Sequence, residues 1–270
     1  MGGRMATYRS TVGGQLQRVV DIGPDSVVGK VRSQLRARRA SLRRDDGTGI
    51  VSEDWFADIY AGTTDPWDYT TSDYERRKYS LLVAALPNER YRRAYEPGCS
   101  IGILSTGLSE RCDELRCSDF LPQAVDLART RLLGLEGVSV ERHTLPDDFP
   151  EDEVFDLIVL GDVCMFLTPK RLDDLTRRIV ASLAPGGHVV ALHGHHLSAD
   201  IFQSGDQAHA RIRRHPALRK LGGYRDQSFR LDIWERRPGK GAPTMQSRTG
   251  LAVVGESARR APSERVRDIS

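Results

Sequence analysis

Ala94-Tyr95-Glu96-Pro97-Gly98-Cys99-Ser100-Ile101-Gly102 reads as the end of a strand, a glycine-bearing turn, and a helix opened at Gly102-Ile103-Leu104. Glycines in such a turn let the backbone come close to a ligand where a Cβ would block it. The stretch is not a P-loop, because no Gly-Lys-Ser/Thr follows the glycines. It is also a poor dinucleotide fingerprint: the acid, Glu96, stands ahead of the glycines, and Ser100 takes the place of the middle one. An acid in front of the turn suits a ligand carrying a cation or an amine better than a pyrophosphate.

Outward from the turn, strands and helices alternate. The spacing of Tyr74, Lys78, Leu81, Leu82 and Ala85 predicts a helix over 74–86, ended by Pro87. Strand one is expected at 93–96, a helix at 102–111, a short strand at 114–118 and a helix at 122–133. A third strand follows at 137–142, and the continuous apolar run 154–160 reads as a buried fourth strand. An amphipathic helix at 172–183 turns at Pro185-Gly186-Gly187 into a strand at 188–192. Residues 204–221 read as a helix interrupted at Pro216, and 229–235 as a last strand. This order implies a parallel sheet with helices on both faces, its ligand at the C-terminal strand ends near the switch in strand order.

The 270 residues are 39% hydrophobic and 29% charged, which suits one sizeable core. No apolar run is long enough to span a bilayer and no apolar h-region opens the chain, so a cytoplasmic protein without integral membrane association is expected. The four cysteines (Cys99, Cys112, Cys117, Cys164) show neither a CxxC pair nor metal-ligand spacing and are expected to be reduced. Residues 52–237 carry 24 Lys and Arg against 30 Asp and Glu; the flanks carry the other 16 and 7. An acidic core argues against nucleic acid as partner, which needs clustered basic charge. It suits a cationic or neutral polyhydroxylated small molecule. Residues 1–51 are expected to be a basic flexible arm, in part helical where Val27, Val31, Leu35 and Leu42 share a stripe. Residues 238–270 are expected to be a disordered tail.

The acid after strand two is Asp119, and its distance from Glu96 suits a carboxylate that accepts both hydroxyls of a ribose. The other reading of Asp119 is a cap for the helix near Pro122. With Glu96–Gly102 and Asp119, the segments Phe155-Asp156-Leu157-Ile158-Val159 and Leu183-Ala184-Pro185-Gly186-Gly187-His188 resemble the successive motifs of class I S-adenosylmethionine-dependent methyltransferases. Asp65-Pro66-Trp67, Tyr74-Glu75-Arg76-Arg77-Lys78-Tyr79, Ser204-Gly205-Asp206 with His209, and Arg230-Leu231-Asp232 resemble the nodulation N-methyltransferase family, over about residues 53–237. The resemblance implies an α/β fold, a Rossmann-like three-layer sandwich with a mostly parallel sheet and an antiparallel C-terminal strand. It also implies S-adenosylmethionine, a sulfonium amino acid, as cofactor. Family members named for nodulation methylate the free amine of a chitin-oligosaccharide glucosamine, so a small-molecule acceptor such as an amino sugar or oligosaccharide is implied. O- or C-methylation, and cofactor binding without transfer, stand as the alternatives.

Carried over residue by residue, the resemblance implies that Gly98, Ser100 and Gly102 let the turn lie against the methionyl part of the cofactor. Glu96 organises the turn or reaches the ammonium, through water if necessary. Asp119 takes the ribose hydroxyls, and Phe120 packs beside the adenine. After strand three, His143-Thr144-Leu145 stands where an Asp beside an apolar residue is common, which leaves Leu145 its backbone and apolar side chain for the adenine. Trp67 lies on the sulfonium or walls the acceptor pocket, where cation–π attraction contributes about 0.5–2 kcal/mol. Arg77 or Lys78 pairs with the methionyl carboxylate, Arg77 having the better fork; alternatively both sit on a solvated helix face.

Methyl transfer is an in-line displacement, so catalysis is mostly placement. An amine acceptor must lose its proton first. The catalytic candidates are Asp162, just after strand four, and His193, ending strand five, whose residue type titrates near neutrality. His193, His195 and His196 make a weak metal signature without further ligands, and no metal is expected. His209 is expected to be structural.

Overall fold

The computed structural model describes residues 47–195 and 201–238. The expectations for the basic arm up to residue 46, for the tail beyond 238 and for His196 lie outside the described residues. Among the described residues, two helices precede the sheet. The first, α1 (Glu53–Tyr60), has Ser52 at its N-cap, and the second, α2 (Asp73–Ala84), has Ser72 there, each side chain accepting a backbone N–H. Then follow β1 (Tyr91–Pro97), α3 (Ile103–Ser109), β2 (Cys112–Asp119), α4 (Pro122–Leu132), β3 (Val138–Arg142) and β4 (Phe155–Gly161). A 3-10 turn at Cys164–Phe166 leads to α5 (Pro169–Ser182), β5 (Leu183–Gly194), α6 (Gly205–Ile212), β6 (Leu218–Arg225) and β7 (Phe229–Arg236).

The strands form one seven-stranded sheet in the order β3-β2-β1-β4-β5-β7-β6. The pairs from β3 through to β5 are parallel, and β7 is antiparallel to both β5 and β6. Strand β4 is apolar from Leu157 to Leu160 because both faces are covered there. Leu157 and Val159 pack with Leu82, Leu104, Leu108 and Leu132 of α2, α3 and α4 on one side. Ile158 and Leu160 pack with Leu172, Leu175, Ile179 and Ile212 of α5 and α6 on the other. The order in which successive strands are added reverses between β1 and β4, which puts the switch point at their C-terminal ends.

Two readings need correction. The segment after Pro216 is not a helix. Residues 218–225 form edge strand β6, where Gly223 lies so near the Leu231 carbonyl and Asp232 that a Cβ would collide. The antiparallel C-terminal element is therefore a hairpin of two strands. Just ahead of residue 52, Ile50 bridges Leu167, the Val51 N–H donates to the Phe166 carbonyl over 3.0 Å, and Val51 is buried. The Pro185-Gly186-Gly187 turn is absorbed into β5 as an irregularity in its register with β4, between Phe155 and Leu157.

Candidate active site

The turn after β1 is held from behind by β2. The Gly98 and Cys99 N–H groups both donate to the Ser118 carbonyl (2.7 and 2.9 Å), and the Gly102 N–H donates to the Cys99 carbonyl over 2.9 Å. Gly98, Ser100 and Gly102 all have positive φ, of 74°, 50° and 80°. A Cβ at Gly98 would lie 2.8 Å from Val163 Cγ2, so glycine is needed there for space as well as for φ. Ser100 adopts the left-handed conformation with a side chain, and its hydroxyl is used: Tyr60 Oη of α1 lies 2.6 Å from Ser100 Oγ. Burial pushes the Tyr60 phenol up to about 12, so it stays protonated at neutral pH.

Asp119 ends β2 beside this turn. One carboxylate oxygen accepts the Ser100 N–H and the other the Leu121 N–H, each over 3.0 Å. It thus fastens the turn and steers entry into α4, which combines both readings made of it. Each oxygen keeps a further lone pair for a hydroxyl. Burial raises the Asp119 pKa, and the backbone N–H groups of Leu121, Ser100 and Phe120 oppose that rise. Phe120, next in the chain, meets Phe56 of α1 edge-on at 5.1 Å between centroids. Glu96 is 2% exposed and lies under the turn, with Cys117 Sγ 3.8 Å from its carboxylate and Ser105 beside it. Burial lifts its pKa to about 8, so it is mostly a neutral carboxyl at pH 7.

At the switch point, Asp162 follows β4 with φ 50°. Its carboxylate accepts the Gly194 N–H over 2.8 Å and pairs with Lys78 Nζ of α2 over 2.5 Å. Lys78 Nζ also lies 2.7 Å from Glu75 Oε2, and 5.0 and 5.1 Å from the centres of the Tyr74 and Tyr79 rings. Tyr69 stacks at a tilt on Tyr79, with centroids 5.7 Å apart. Burial pushes the Asp162 pKa upward, but Lys78 and the remaining partners outweigh it and hold it below the usual carboxylate range. Helix α2 thus lies over the crevice with Lys78 aimed inward, on the same stripe as Leu81 and Leu82.

The other expected residues fall elsewhere. Arg77 is half-exposed and turns to the far hairpin, where it donates to Asp226 and Tyr224 (both 2.6 Å) and sits 5.1 Å over the Phe229 ring. It is carried there because neighbouring helix positions face directions about 100° apart. Leu145 is buried in the core cluster of Tyr95, Phe149 and Phe155, on the α5 side of the sheet. Trp67 joins Val51, Trp55, Phe56, Phe166 and Phe202 in an aromatic cluster at the crevice end, hydrogen-bonded to Tyr60.

His193 is not positioned as a base. It is 0% exposed, and its Nε2 accepts the Cys164 backbone N–H over 3.2 Å. Its Nδ1 then carries the proton and donates to His209 Nε2 (3.0 Å), and His209 Nδ1–H donates to Asp232 Oδ2 (2.7 Å). Burial, with His209 next, pushes the His193 pKa down to about 3. The chain of two neutral imidazoles ties β5, α6 and β7 together. Among the described residues no group of three or more His, Cys, Asp and Glu is placed to hold a metal ion.

Sequence reading passed over Tyr60 and gave Lys78 second place to Arg77. A signal for Lys78 existed: a lysine on the apolar stripe of an amphipathic helix must be buried with a partner. Tyr60 carries none, because its partner Ser100 lies 40 residues further along and only the fold brings the two together.

Comparison with known proteins supplies the family. A family model described as nodulation protein S (NodS) matches residues 58–198, which include the turn, Asp119, Lys78 and Asp162. Nodulation protein S of Rhizobium tropici is 28% identical over 151 residues, 55% of this chain and 60% of that protein. The chain spans about three fifths of the length of the curated relatives it matches. Among solved structures, a candidate methyltransferase from Pseudomonas syringae is 40% identical over 60% of this chain and 99% of its own, with a TM-score of 0.54. The N-methyltransferase NodS of Bradyrhizobium japonicum WM9, solved with S-adenosyl-L-homocysteine, is 20% identical over 74% of this chain and 98% of its own, with a TM-score of 0.58, and shares the fold. The chain belongs to the nodulation protein S (NodS) family.

Proposed function

We propose that the protein is an S-adenosylmethionine-dependent methyltransferase that N-methylates an amine on a small or sugar-like acceptor. The observation that carries this reading is the turn from Glu96 to Gly102 clasped by Asp119: a backbone cradle with Gly98 kept free of a Cβ, and beside it a carboxylate with acceptor capacity left on both oxygens. Such a site fits an adenosyl group joined to an amino acid. Asp119 would take the ribose hydroxyls, Phe120 and Phe56 would flank the base, and Tyr60 would hold Ser100 in its left-handed conformation. When bound, S-adenosylmethionine supplies a methyl group on a positively charged sulfur.

The chain's own contribution to transfer is placement and charge. Asp162 is held ionised at the switch point, and with its lowered pKa it serves better as counterion to an ammonium than as proton acceptor. An amine held there would shed its proton to water. The tyrosines at 69, 74 and 79 offer aromatic faces of the kind that pack on sugar rings and shield cations. The reading also puts the protein in the cytoplasm, in keeping with four buried cysteines that are all free. No helix among the described residues is long and apolar enough to cross a membrane.

The test is incubation with methyl-labelled S-adenosylmethionine and a panel of glucosamine, chitosan oligosaccharides and simple primary amines, each beside its N-acetylated counterpart, read by mass spectrometry. Label on nitrogen, absent from the acetylated partners, is expected. Label on oxygen or carbon, or cofactor uptake with no turnover across the panel, counts against the proposal.

A further inference from the structure

Lys78 is the only buried Lys or Arg side chain among the described residues. Its ammonium is shared by two carboxylates, Asp162 at 2.5 Å and Glu75 at 2.7 Å, so the trio carries a net negative charge in a poorly solvated place. The pair also lies against the turn: Val163, next in the chain to Asp162, is the residue that a Cβ on Gly98 would strike. An amino-acid ligand resting on that turn brings a carboxylate that needs a donor. The turn itself offers few, because the N–H groups of Gly98, Cys99, Ser100 and Gly102 are already given to Ser118, Asp119 and Cys99. The neighbouring cations of α2 face away, Arg76 toward Asp73 and Arg77 toward Asp226.

We propose that Lys78 is an exchangeable counterion, which leaves Asp162 for the carboxylate of the amino-acid part of the cofactor and so frees Asp162 to receive the ammonium of the acceptor. The proposal rests on the reading of the site as one for S-adenosylmethionine. Its physical basis is that a buried carboxylate stripped of its cation is costly until another cation arrives. Exchange at Lys78 therefore turns cofactor loading into demand for a cationic acceptor, and orders the two binding events. Lys78 acts through Asp162 and is a positioning residue toward the acceptor.

The experiment uses two probes that need no acceptor. S-adenosylhomocysteine carries the amino-acid carboxylate and 5′-methylthioadenosine lacks it, and both are titrated calorimetrically into the wild type and into Lys78→Met, Lys78→Arg and Asp162→Asn. A charge-assisted contact removed in Lys78→Met is expected to weaken S-adenosylhomocysteine on the order of 10–100-fold. Methylthioadenosine should change by less than about threefold, and Lys78→Arg should recover most of the loss. Asp162→Asn removes the competitor for Lys78, so it should bind S-adenosylhomocysteine more tightly while methylthioadenosine is unmoved. Opposite signs for two residues in contact are not expected of a packing defect. Equal weakening of both probes by Lys78→Met, or a loss of S-adenosylhomocysteine affinity in Asp162→Asn, would overturn the proposal. Asp162→Asn tests it alone should Lys78→Met not fold. A wild type that binds neither probe removes the reading of the site, and this inference with it.

Discussion

Glu96 offers a quantitative test of how the cofactor turn is built. Its pKa of about 8, against 4.5 for an ordinary glutamate, means that the folded protein binds a proton there which the unfolded chain has already lost across that interval. For an acid with a raised pKa the sign is fixed: stability falls as pH rises from about 4.5, and the full cost is present once pH passes the folded value. The shift corresponds to about 4–5 kcal/mol between the two ends of the window. Glu96→Gln keeps the shape without the ionisation and removes this dependence. Urea unfolding at pH 5 and at pH 8.5 should show the variant gaining on the wild type by about 4 kcal/mol between the two conditions, most of it above pH 6. At pH 5 the two should lie within about 1 kcal/mol, since both then carry a neutral group. If the difference between variant and wild type stays within about 1 kcal/mol from pH 5 to 8.5, Glu96 is not buried beneath the turn as described.

Other perturbations separate framework from site. Gly98→Val places a branched side chain at φ 74° and against Val163, so a loss of at least 2–3 kcal/mol in stability is expected by denaturant titration, with weaker S-adenosylhomocysteine binding. His193→Ala leaves the Cys164 N–H and His209 Nε2 without partners in the core. It should cost about 2–4 kcal/mol. The folded fraction should still bind S-adenosylhomocysteine within about threefold of wild type, whereas loss of binding without loss of stability would return His193 to the active site. Arg77→Ala removes a contact at the exposed hairpin and should leave cofactor affinity unchanged in calorimetry; a tenfold loss there would mean that Arg77 swings inward.

What the sequence carried well was whatever depends on local pattern. The buried run of β4 and the glycine turn with its leading acid were legible because strand burial, positive φ and close backbone approach each restrict residue choice at single positions. Strand β6 was not legible: Leu218-Arg219-Lys220-Leu221 has helical spacing, and only pairing with β7 makes it a strand. His193 was misread for a related reason. A histidine at a strand end looks like a base until its partners are known, and those partners are a backbone N–H at Cys164 and a side chain on α6. Leu145 shows the limit of position alone, since three residues past β3 the chain buries this side chain in the core cluster with Tyr95, Phe149 and Phe155. Arg77 and Lys78 are neighbours, yet a single helical step of about 100° sends them to different surroundings.

The account stands most directly on Asp119. Calorimetric titration of S-adenosylhomocysteine into the wild type and Asp119→Ala measures whether the clasped turn is the adenosyl site. Removing a carboxylate that fastens Ser100 and Leu121, and that the proposal has receiving two ribose hydroxyls, should weaken binding by about 10–100-fold or more. Wild-type protein that takes up no S-adenosylhomocysteine, or an Asp119→Ala variant that binds it as tightly as wild type, would contradict the assignment.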